Sequence, residues 1–173
     1  EKWKGEGRPL LNMRIGVNTG PMIVGNMGSS TRMDYTVMGD SVNLGARLES
    51  ANKQYGTRLM MSQFTKAHVE NDIEHRELDA LKVKGKKKPV YVYDVMALKG
   101  KLPPEKEKVV KLYNQGLLCY KSRKWEEGIK LFSEALDTIP NDGPSQTYLT
   151  RCKEYKKNPP PAHWDKVWEL TTK

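Results

Sequence analysis

An asparagine and an arginine lie one helical turn apart, just after a strand-to-turn corner, in the segment DYTVMGDSVNLGARLE at residues 34–49. Asn43 and Arg47 are four positions apart, so on a helix both side chains project from the same face. Arginine offers a planar fork of donors that stays charged and suits a phosphate, and asparagine can orient a sugar or phosphate oxygen without adding charge. The pair therefore suits a phosphate site, which is one of two interpretations that the spacing allows.

The alternative is that Arg47 forms an ion pair for structural reasons alone. Its helical neighbours at three and four positions are Asn43, Leu44, Ser50 and Ala51. None of these is acidic, so no partner is available on the same helix. A carboxylate from elsewhere in the fold could still pair with Arg47, and the spacing leaves that alternative open.

The segment that has to position this pair, residues 11–98, alternates strand-like and helix-like patterns. The stretches MRIGVNTG, PMIVGNMG and MDYTVMGD predict strands, with a turn signal in NTGP. A helix is predicted from about Ser41 to Tyr55, with Asp40 as its N-cap and Gly56 just past its end. Its apolar positions fall on one face, which predicts a helix packed on a sheet.

Three further strands and a short helix are predicted in the rest of this region. RLMMS predicts a short strand, and Ser62 is the expected N-cap of a helix that runs through His68. The stretches IEHRELDALKVKG and VYVYDVMAL predict two strands joined by a lysine-rich hairpin. The pattern predicts an α+β fold that is mostly antiparallel near its end.

A junction that contains Pro and Lys, residues 99–104, separates this region from a helical tail at residues 105–173. Two amphipathic helices are predicted around a break at Ser122 to Lys124. A partial helix in PSQTYLTRCKEYKKN and an extended C-terminal stretch follow.

The two tail helices share part of the pattern of a tetratricopeptide repeat. The small, aromatic, small and proline positions of that repeat correspond to Gly116, Phe132, Ala135 and Pro140. The match departs at Gly128, where Ala is usual, and at Cys119, where an aromatic residue is usual. Because a single repeat cannot bury its own face, we expect the tail to dock on its own chain or on a partner protein.

Composition narrows the class of protein. Among the 173 residues, 37% are hydrophobic and 29% charged, and no apolar run comes near the ~20 residues of a membrane span, so we expect a soluble chain without membrane contact. The chain lacks an initial Met and a signal-peptide pattern, which predicts a fragment of a longer protein. The net charge of +9 fits either polyanionic partners or a solvated lysine-rich surface. Cys119 and Cys152 have no metal-type spacing and are expected to be free thiols in a reducing cytoplasm.

From Arg14 to about Met96 the chain resembles the C-terminal half of a class III nucleotidyl cyclase catalytic domain. The resemblance rests on RIGVNTGPMIVGNMGS, RMDYTVMGDSVNLGARLESANKQYGT and KVKGKKKPVYVYDV, which are in register with that family. It implies a partial ferredoxin-like sheet with helices over residues 1–98, ahead of the small all-α tail. In that family the Asn and Arg of V-N-x-x-x-R act on the ribose and on the reacting phosphate, and Asn43 and Arg47 occupy those positions.

Two more residues match family positions. Seven positions before the Asn, adenylate cyclases of the family have Asp or Thr, with Thr common in bacteria, whereas guanylate cyclases typically have Cys or a similar residue. Thr36 stands there, and the resemblance implies that its hydroxyl meets the adenine amino edge, although a β-branched residue suits a strand for packing alone. Lys84 matches the Lys of V-K-G-K, which contacts the triphosphate in the family. Asn18 stands where many members have His, and we expect a structural effect at most.

The resemblance also implies a cofactor and an assembly. Its expected substrate is ATP, and its expected metal is Mg²⁺ or Mn²⁺. The family binds two metal ions through two Asp residues of its N-terminal half, the first in F-x-D-I-x-G-F, and this chain has no such motif, so no metal ligand is predicted within it. The family acts as a head-to-tail dimer in which one subunit gives the metal carboxylates and the other the Asn–Arg pair. We expect such a homodimer, or a domain-exchanged assembly.

The expected activity is that of an adenylate cyclase, which converts ATP to cyclic AMP and pyrophosphate, in the cytoplasm. An upstream membrane anchor in the whole protein stays open, and the fragment alone is expected to be inactive. One alternative is a guanylate cyclase, against which Thr36 argues. The other is a non-catalytic regulatory or adaptor protein that binds a protein partner through the tail. No nucleic-acid partner is expected.

Overall fold

A computed structural model of the chain describes residues 5–7, 9, 12–82 and 89–167. These residues form six strands and five helices, and the elements follow the predicted order. The strands are β1 Ile15–Val17, β2 Ile23–Ser29, β3 Arg32–Met38, β4 Leu59–Ser62, β5 Ile73–Leu81 and β6 Val90–Leu98. The helices are α1 Asp40–Tyr55, α2 Gln63–Val69, α3 Pro104–Lys121, α4 Trp125–Thr138 and α5 Gly143–Lys157.

Four of the strands form one sheet, in the order β1-β4-β6-β5. The β1 strand is parallel to β4, and the β4–β6 and β5–β6 pairs are antiparallel, as predicted for this end of the region. The β2 and β3 strands form a separate antiparallel hairpin with a tight turn at Ser30 and Thr31. The described part of the chain therefore has a mixed α+β fold, in agreement with the sequence.

The core of the α+β region lies between α1 and the four-stranded sheet. The α1 helix buries one side along its length, and the sheet buries residues from β4, β5 and β6. The buried residues of this core are Leu44, Leu48, Ala51, Tyr55, Met60, Leu78, Leu81, Val90 and Val92. This packing is what the helical spacing of the apolar residues in α1 predicts.

The predicted helix ends are confirmed except for one cap. Gly56 ends α1 with φ of 62°, a left-handed conformation in which glycine is favoured. The Ser62 hydroxyl accepts the N–H of Thr65 at 3.3 Å and caps α2. The prediction that Asp40 is the N-cap of α1 is wrong, because Asp40 is already helical and Gly39, with φ of 146°, takes the cap position. The Asp40 carboxylate instead lies in the first turn, where the helix dipole favours a negative charge.

The part of the tail that the structure describes folds as three helices with their own aromatic core. The break between α3 and α4 falls at residues 122–124, where it was predicted. The core of the tail is formed by Tyr113, Leu117, Tyr120, Phe132, Tyr148 and Cys152. A Cβ atom on Gly116 would lie 2.8 Å from the Phe132 ring, so the absence of a side chain at Gly116 lets α3 and α4 approach closely. Cys119 and Cys152 are free thiols.

The tail docks on its own chain, which is one of the two outcomes expected for it. It covers β5, the strand at one edge of the sheet. The register of β5 against β6 shifts between Glu77 and Asp79, which leaves Leu78 without a paired residue on β6. The Tyr148 hydroxyl of α5 donates a hydrogen bond to the Leu78 carbonyl at 2.5 Å. The tail thus satisfies a backbone group that the bulge leaves unpaired.

The opposite edge of the sheet and the hairpin remain exposed in the described residues. The β1 strand has no neighbour on its outer side, and Ile15 is 45% exposed. On the hairpin, Ile23 is 68% exposed, Met33 64% and Tyr35 77%. Isolated apolar side chains on a surface are ordinary. Met33 and Tyr35, two positions apart on β3, share one face of the hairpin, and Ile23, which pairs with Met38, lies on the other face. No helix among the described residues is both long enough and apolar enough to span a membrane.

Candidate functional site

Asn43 and Arg47 lie in the first two turns of α1, immediately after the hairpin. The chain leaves β3 at Met38, turns at Gly39 and enters the helix, and the Gly39 carbonyl accepts the N–H groups of Val42 and Asn43, both at 3.1 Å. Both site residues are exposed, whereas Leu44 and Leu48 beside them on the helix are buried. The structure therefore presents Asn43 and Arg47 together at the surface.

The helix that carries this pair is held on β1 by close backbone contact. A Cβ atom on Gly16 of β1 would lie 2.3 Å from the Gly45 carbonyl oxygen and 2.4 Å from the Glu49 nitrogen, so only glycine allows this approach. The Asn18 side-chain amide donates to the Ser41 carbonyl at 2.9 Å and ties the first turn of α1 to the end of β1. Asn18 thus has the structural effect expected for it.

A second buried amide fixes the far half of α1. The Asn52 side chain is fully buried and donates to the carbonyls of Ile15 and Leu48, both at 3.0 Å. Its oxygen accepts the Thr57 hydroxyl at 2.8 Å. Gly16 and Asn18 fix the first half of α1 on β1, and Asn52 fixes the second half. The helix that carries Asn43 and Arg47 is therefore held in place at both ends.

The structural alternative for Arg47 is not found in the described part of the chain. No hydrogen bond or ion pair within residues 12–82 and 89–167 involves the Arg47 guanidinium, and the helix offers no acid at helical spacing. The acid nearest to Arg47 along the helix, Glu49, is two positions away and faces a different side, and it accepts from the Arg14 Nε at 3.4 Å. Within the residues that the structure describes, the Arg47 guanidinium is thus exposed and has no charged partner.

The structure does not join the other two predicted site residues, Thr36 and Lys84, to Asn43 and Arg47 by hydrogen bonds in the part of the chain that it describes. Thr36 lies within β3, two residues before its end, opposite Gly25, with its side chain exposed. No hydrogen bond joins Thr36 to Asn43 or Arg47 in the described residues, and the connection between them is the turn at Gly39. Lys84 lies outside the described residues. The residue two positions before it, Lys82, pairs with Asp165 of the C-terminal segment at 3.0 Å.

A cluster of buried charges at the junction with the tail was not predicted. Arg76 is 4% exposed, and its guanidinium contacts the Asp94 carboxylate at 3.0 Å and the Asp142 carboxylate at 2.8 Å. Burial raises the pKa of Asp94 although Arg76 lowers it, whereas at Asp142 the effect of burial is outweighed by the hydrogen bonds and charge of Arg76, so the pKa of Asp142 is lowered. The signal in the sequence was a pair of charges, Arg76 and Asp79, within a predicted strand.

The same junction contains a polar cavity of about 360 Å³. Arg58, Arg76, Lys106 and Asp142 are among its lining residues, and Asn43 and Arg47 are not. Within the described residues no group of three or more His, Cys, Asp or Glu side chains could hold a metal ion. These residues alone thus do not fit a two-metal site.

Comparison with known proteins gives a family and two well-matched relatives. The profile of the adenylate and guanylate cyclase catalytic domain matches residues 2–97. The chain is 35% identical over 144 residues to "Adenylate cyclase, terminal-differentiation specific" of Dictyostelium discoideum, and the match covers 80% of this chain and 7% of that protein. It is 36% identical over 95 residues to "Adenylate cyclase 1" of Rhizobium meliloti, covering 55% of this chain and 14% of that protein.

The matches cover a large part of this chain and a small part of each relative. The chain spans less than a fifth of either relative's length. The Dictyostelium match covers 80% of this chain, so it must extend beyond residue 98 into the helical tail.

Among solved structures, the adenylyl cyclase CyaB of P. aeruginosa is 36% identical, with a TM-score of 0.48, over 59% of this chain and 52% of that chain.

Proposed function

The chain belongs to the adenylate and guanylate cyclase catalytic domain family, and from that premise we propose that it is the C-terminal part of an adenylate cyclase catalytic domain. The whole protein would convert ATP to cyclic AMP and pyrophosphate. The observation that carries the proposal is the exposed Asn43–Arg47 pair on α1, without an ion-pair partner among the described residues and within the family sequence V-N-x-x-x-R.

Asn43 and Arg47 take different roles in this proposal. Cyclisation moves negative charge onto the phosphate oxygens in the transition state, and a guanidinium that is already in place stabilises that charge without reorganisation. Arg47 is assigned this role, because it is permanently charged and its helix is anchored at both halves. Asn43 is assigned to the ribose, where an amide can donate and accept without changing the charge of the site.

Thr36 favours adenine over guanine. Its exposed hydroxyl on β3 can accept from the adenine amino group or donate to a ring nitrogen. The relatives from Dictyostelium discoideum and Rhizobium meliloti are both named adenylate cyclases, which supports the same choice. Lys84, which lies outside the described residues, is assigned to the triphosphate on the basis of the family sequence V-K-G-K.

The metal carboxylates are proposed to come from outside this segment. The described residues do not fit a metal site on their own. The expected Mg²⁺ or Mn²⁺ would neutralise phosphate charge, a contribution that Arg47 and Lys84 cannot replace. The residues of this chain then bind and orient the nucleotide and stabilise the charge of the reacting phosphate.

The exposed apolar strands support an assembly in which this surface is covered. The outer edge of β1 and the hairpin side chains Ile23, Met33 and Tyr35 face solvent in the described part of the chain. An open strand edge tends to pair with other strands, and exposed apolar side chains favour contact with another protein surface. We propose that a preceding part of the longer protein, together with a second copy in a head-to-tail dimer or exchanged arrangement, covers this surface.

The tail is proposed to be a single repeat of tetratricopeptide type. The close approach of Gly116 to Phe132 and the burial of Ala135 support this assignment. Because the tail packs on β5 of its own chain, a protein partner would use the exposed faces of α3 and α4 that remain, where Leu118 is 66% exposed.

A complementation experiment tests the function. The purified chain is assayed for cyclic AMP from Mg·ATP alone and after mixing with a second cyclase chain that supplies the two metal Asp residues but carries an inactive Asn–Arg pair. We expect no product from the chain alone and measurable product from the mixture. The matched control is the same mixture with Arg47→Ala, which should be inactive.

Two results would contradict the proposal. Strong cyclic AMP production by the chain alone would show that the metal site lies within this segment. Absence of product both from the mixture and from a longer protein with the complete catalytic domain would show that the chain has no cyclase activity to contribute, and would favour the adaptor alternative.

A further inference from the structure

We infer that two residues of the tail, Arg151 and Thr147 on α5, are positioning residues for α1, the helix that carries Asn43 and Arg47. The inference rests on the proposed function for its catalytic consequence. Neither residue belongs to the segment matched by the cyclase family, which ends at residue 97. The geometry points to a tail that holds the C-terminal end of α1 in place.

The first observation is backbone contact between the start of α5 and the end of α1. A Cβ atom on Gly143, the first residue of α5, would lie 2.2 Å from the Tyr55 carbonyl oxygen. A Cβ on Gly56, the residue that ends α1, would lie 3.2 Å from the Gly143 Cα. Two helix ends this close need glycine at the point of contact, so neither helix can shift without moving the other.

The second observation is a hydroxyl from the tail at the end of α1. The last carbonyls of a helix lack intrahelical partners and have to be satisfied from outside. The Thr147 Oγ1 lies 3.1 Å from the Gln54 carbonyl oxygen and 3.0 Å from the Gly143 carbonyl oxygen of its own helix, so its single proton is shared between them. Thr147 thus supplies a cap to α1 from a residue 93 positions away along the chain.

The third observation is a buried polar triangle that joins α1, β5 and α5. The Tyr55 hydroxyl donates to the Asp79 Oδ2 at 2.6 Å. Arg151 donates to the same Asp79 oxygen at 2.6 Å through Nη1 and to the Tyr55 hydroxyl at 3.2 Å through Nη2. Tyr55 is fully buried, and Asp79 and Arg151 are each 4% exposed. Burial, together with the charge of Asp79, raises the pKa of Tyr55, which keeps its proton on the hydroxyl.

The triangle needs an arginine at position 151, and a different cation there would not replace it. Besides its two hydrogen-bonding directions, the Arg151 guanidinium lies over the Tyr55 and Tyr148 rings, with the Arg151 Cζ 5.4 Å and 5.0 Å from their centroids. Lysine would keep a positive charge near Asp79 but would lose the planar fork that reaches Tyr55 as well. Replacement by methionine would leave the Asp79 carboxylate buried without its cation.

The consequence for the site follows from the rigidity of a helix. Tyr55 is eight residues beyond Arg47, about 12 Å along the helix axis. A shift or rotation at the Tyr55 end is transmitted to Arg47, because α1 is continuous between them. A misplacement of about 1 Å of a group that acts in the transition state can reduce the rate roughly 10²-fold, with a smaller effect on substrate binding.

The experiment compares four variants in a longer chain that contains the complete catalytic domain. Arg151→Met removes the tail contribution to the triangle, and Arg151→Lys keeps its charge. Thr147→Val removes the cap while retaining a β-branched shape. The matched control is Arg123→Met, because Arg123 donates to the carbonyls of Pro160 and Ala162 within the tail and no contact described for it reaches α1. Each variant is assayed for kcat and KM at a temperature well below its unfolding midpoint.

We expect Arg151→Met to lower kcat by roughly tenfold to a hundredfold while KM for ATP changes less than about twofold. Arg151→Lys should recover part of the loss, Thr147→Val should show a smaller loss of kcat, and Arg123→Met should leave kcat unchanged. If Arg151→Met does not fold, Arg151→Lys and Thr147→Val decide the question by the same comparison. Unchanged kcat in folded variants, or an equal loss in Arg123→Met, would overturn the inference.

A second measurement separates this inference from the proposed function. Amide hydrogen exchange of the peptide that spans residues 43–48 should be faster in Arg151→Met than in the wild type and in Arg123→Met. If the wild-type protein makes no cyclic AMP, the proposed function fails, and the exchange comparison still decides whether the tail positions α1. Equal exchange in all variants would overturn the positioning role even in an active enzyme.

Discussion

Arg76 on β5 binds the carboxylate of Asp142, at the start of α5, through two parallel hydrogen bonds of 3.0 and 2.8 Å. The two residues are 66 positions apart and are both largely buried. A bidentate pair of this kind fixes orientation as well as distance. It joins the α+β region to the tail next to the helix end at which α5 meets α1, and it predicts a pH-dependent stability.

Asp142→Asn should destabilise the chain by about 1–3 kcal/mol near neutral pH, because it removes the charge from a buried pair while asparagine can still cap α5. The pKa of Asp142 is lowered in the folded chain, so its contribution is present above the ordinary pKa of the group and is lost as the pH falls through the lowered value. Urea unfolding of the wild type and of Asp142→Asn should therefore show a difference in the free energy of unfolding. This difference should be largest at about pH 7 and should be smaller at about pH 3.

The control for this prediction is Asp137→Asn, at an exposed position on α4. It should change stability little and without a comparable dependence on pH. A difference between wild type and Asp142→Asn that stays constant or grows toward acid pH would contradict the role given to the Arg76–Asp142 pair.

Arg47→Ala, made in a longer chain with the complete catalytic domain, should lower kcat roughly 10²–10³-fold and raise KM for ATP much less. The reason is that the guanidinium acts on charge that develops in the transition state. Lys53→Ala, at an exposed position near the other end of α1, is the control and should retain activity. An unchanged kcat with a raised KM would make Arg47 a ground-state binder.

Thr36→Val should weaken the preference for adenine while leaving the fold intact, since valine keeps the β-branched shape at this exposed position of β3. Loss of one hydrogen bond to the base should reduce kcat/KM for ATP roughly fivefold to tenfold. The assay compares kcat/KM for ATP and for GTP. Equal activity of wild type and Thr36→Val on ATP would leave Thr36 as a strand residue without a role in base selection.

Gly116→Val should destabilise the tail by about 1–3 kcal/mol through overpacking, because a Cβ at this position would already lie 2.8 Å from the Phe132 ring. Asn114→Val, at an exposed position on the same helix, reports the cost of a β-branched residue in α3 without that clash. Thermal unfolding of the two variants measures the difference. If both midpoints fall equally, the close approach of Gly116 and Phe132 does not govern the packing of the tail.

The helix with the candidate site could be predicted from local sequence alone. The apolar spacing of Leu44, Leu48 and Tyr55 and the left-handed Gly56 correctly indicate α1 and its end, and the four-residue spacing of Asn43 and Arg47 indicates a shared face. Each of these features depends on residues within one or two helical turns. The wrong prediction of Asp40 as the N-cap of α1 also comes from local reasoning. Asp40 and Gly39 are both acceptable at an N-cap, and the backbone conformation at Gly39 decided between them.

Tertiary structure alone decided how α1 is held and where the tail docks. The contacts that join α5 to β5 and α1 connect Arg151 with Asp79 across 72 residues and Thr147 with Gln54 across 93. In the sequence Arg76 and Asp79 are charges within a strand, and no local rule says which opposite charges will meet them. Their partners are selected when the chain closes long loops and buries the tail against the sheet, because an unpaired charge in that interior would be costly.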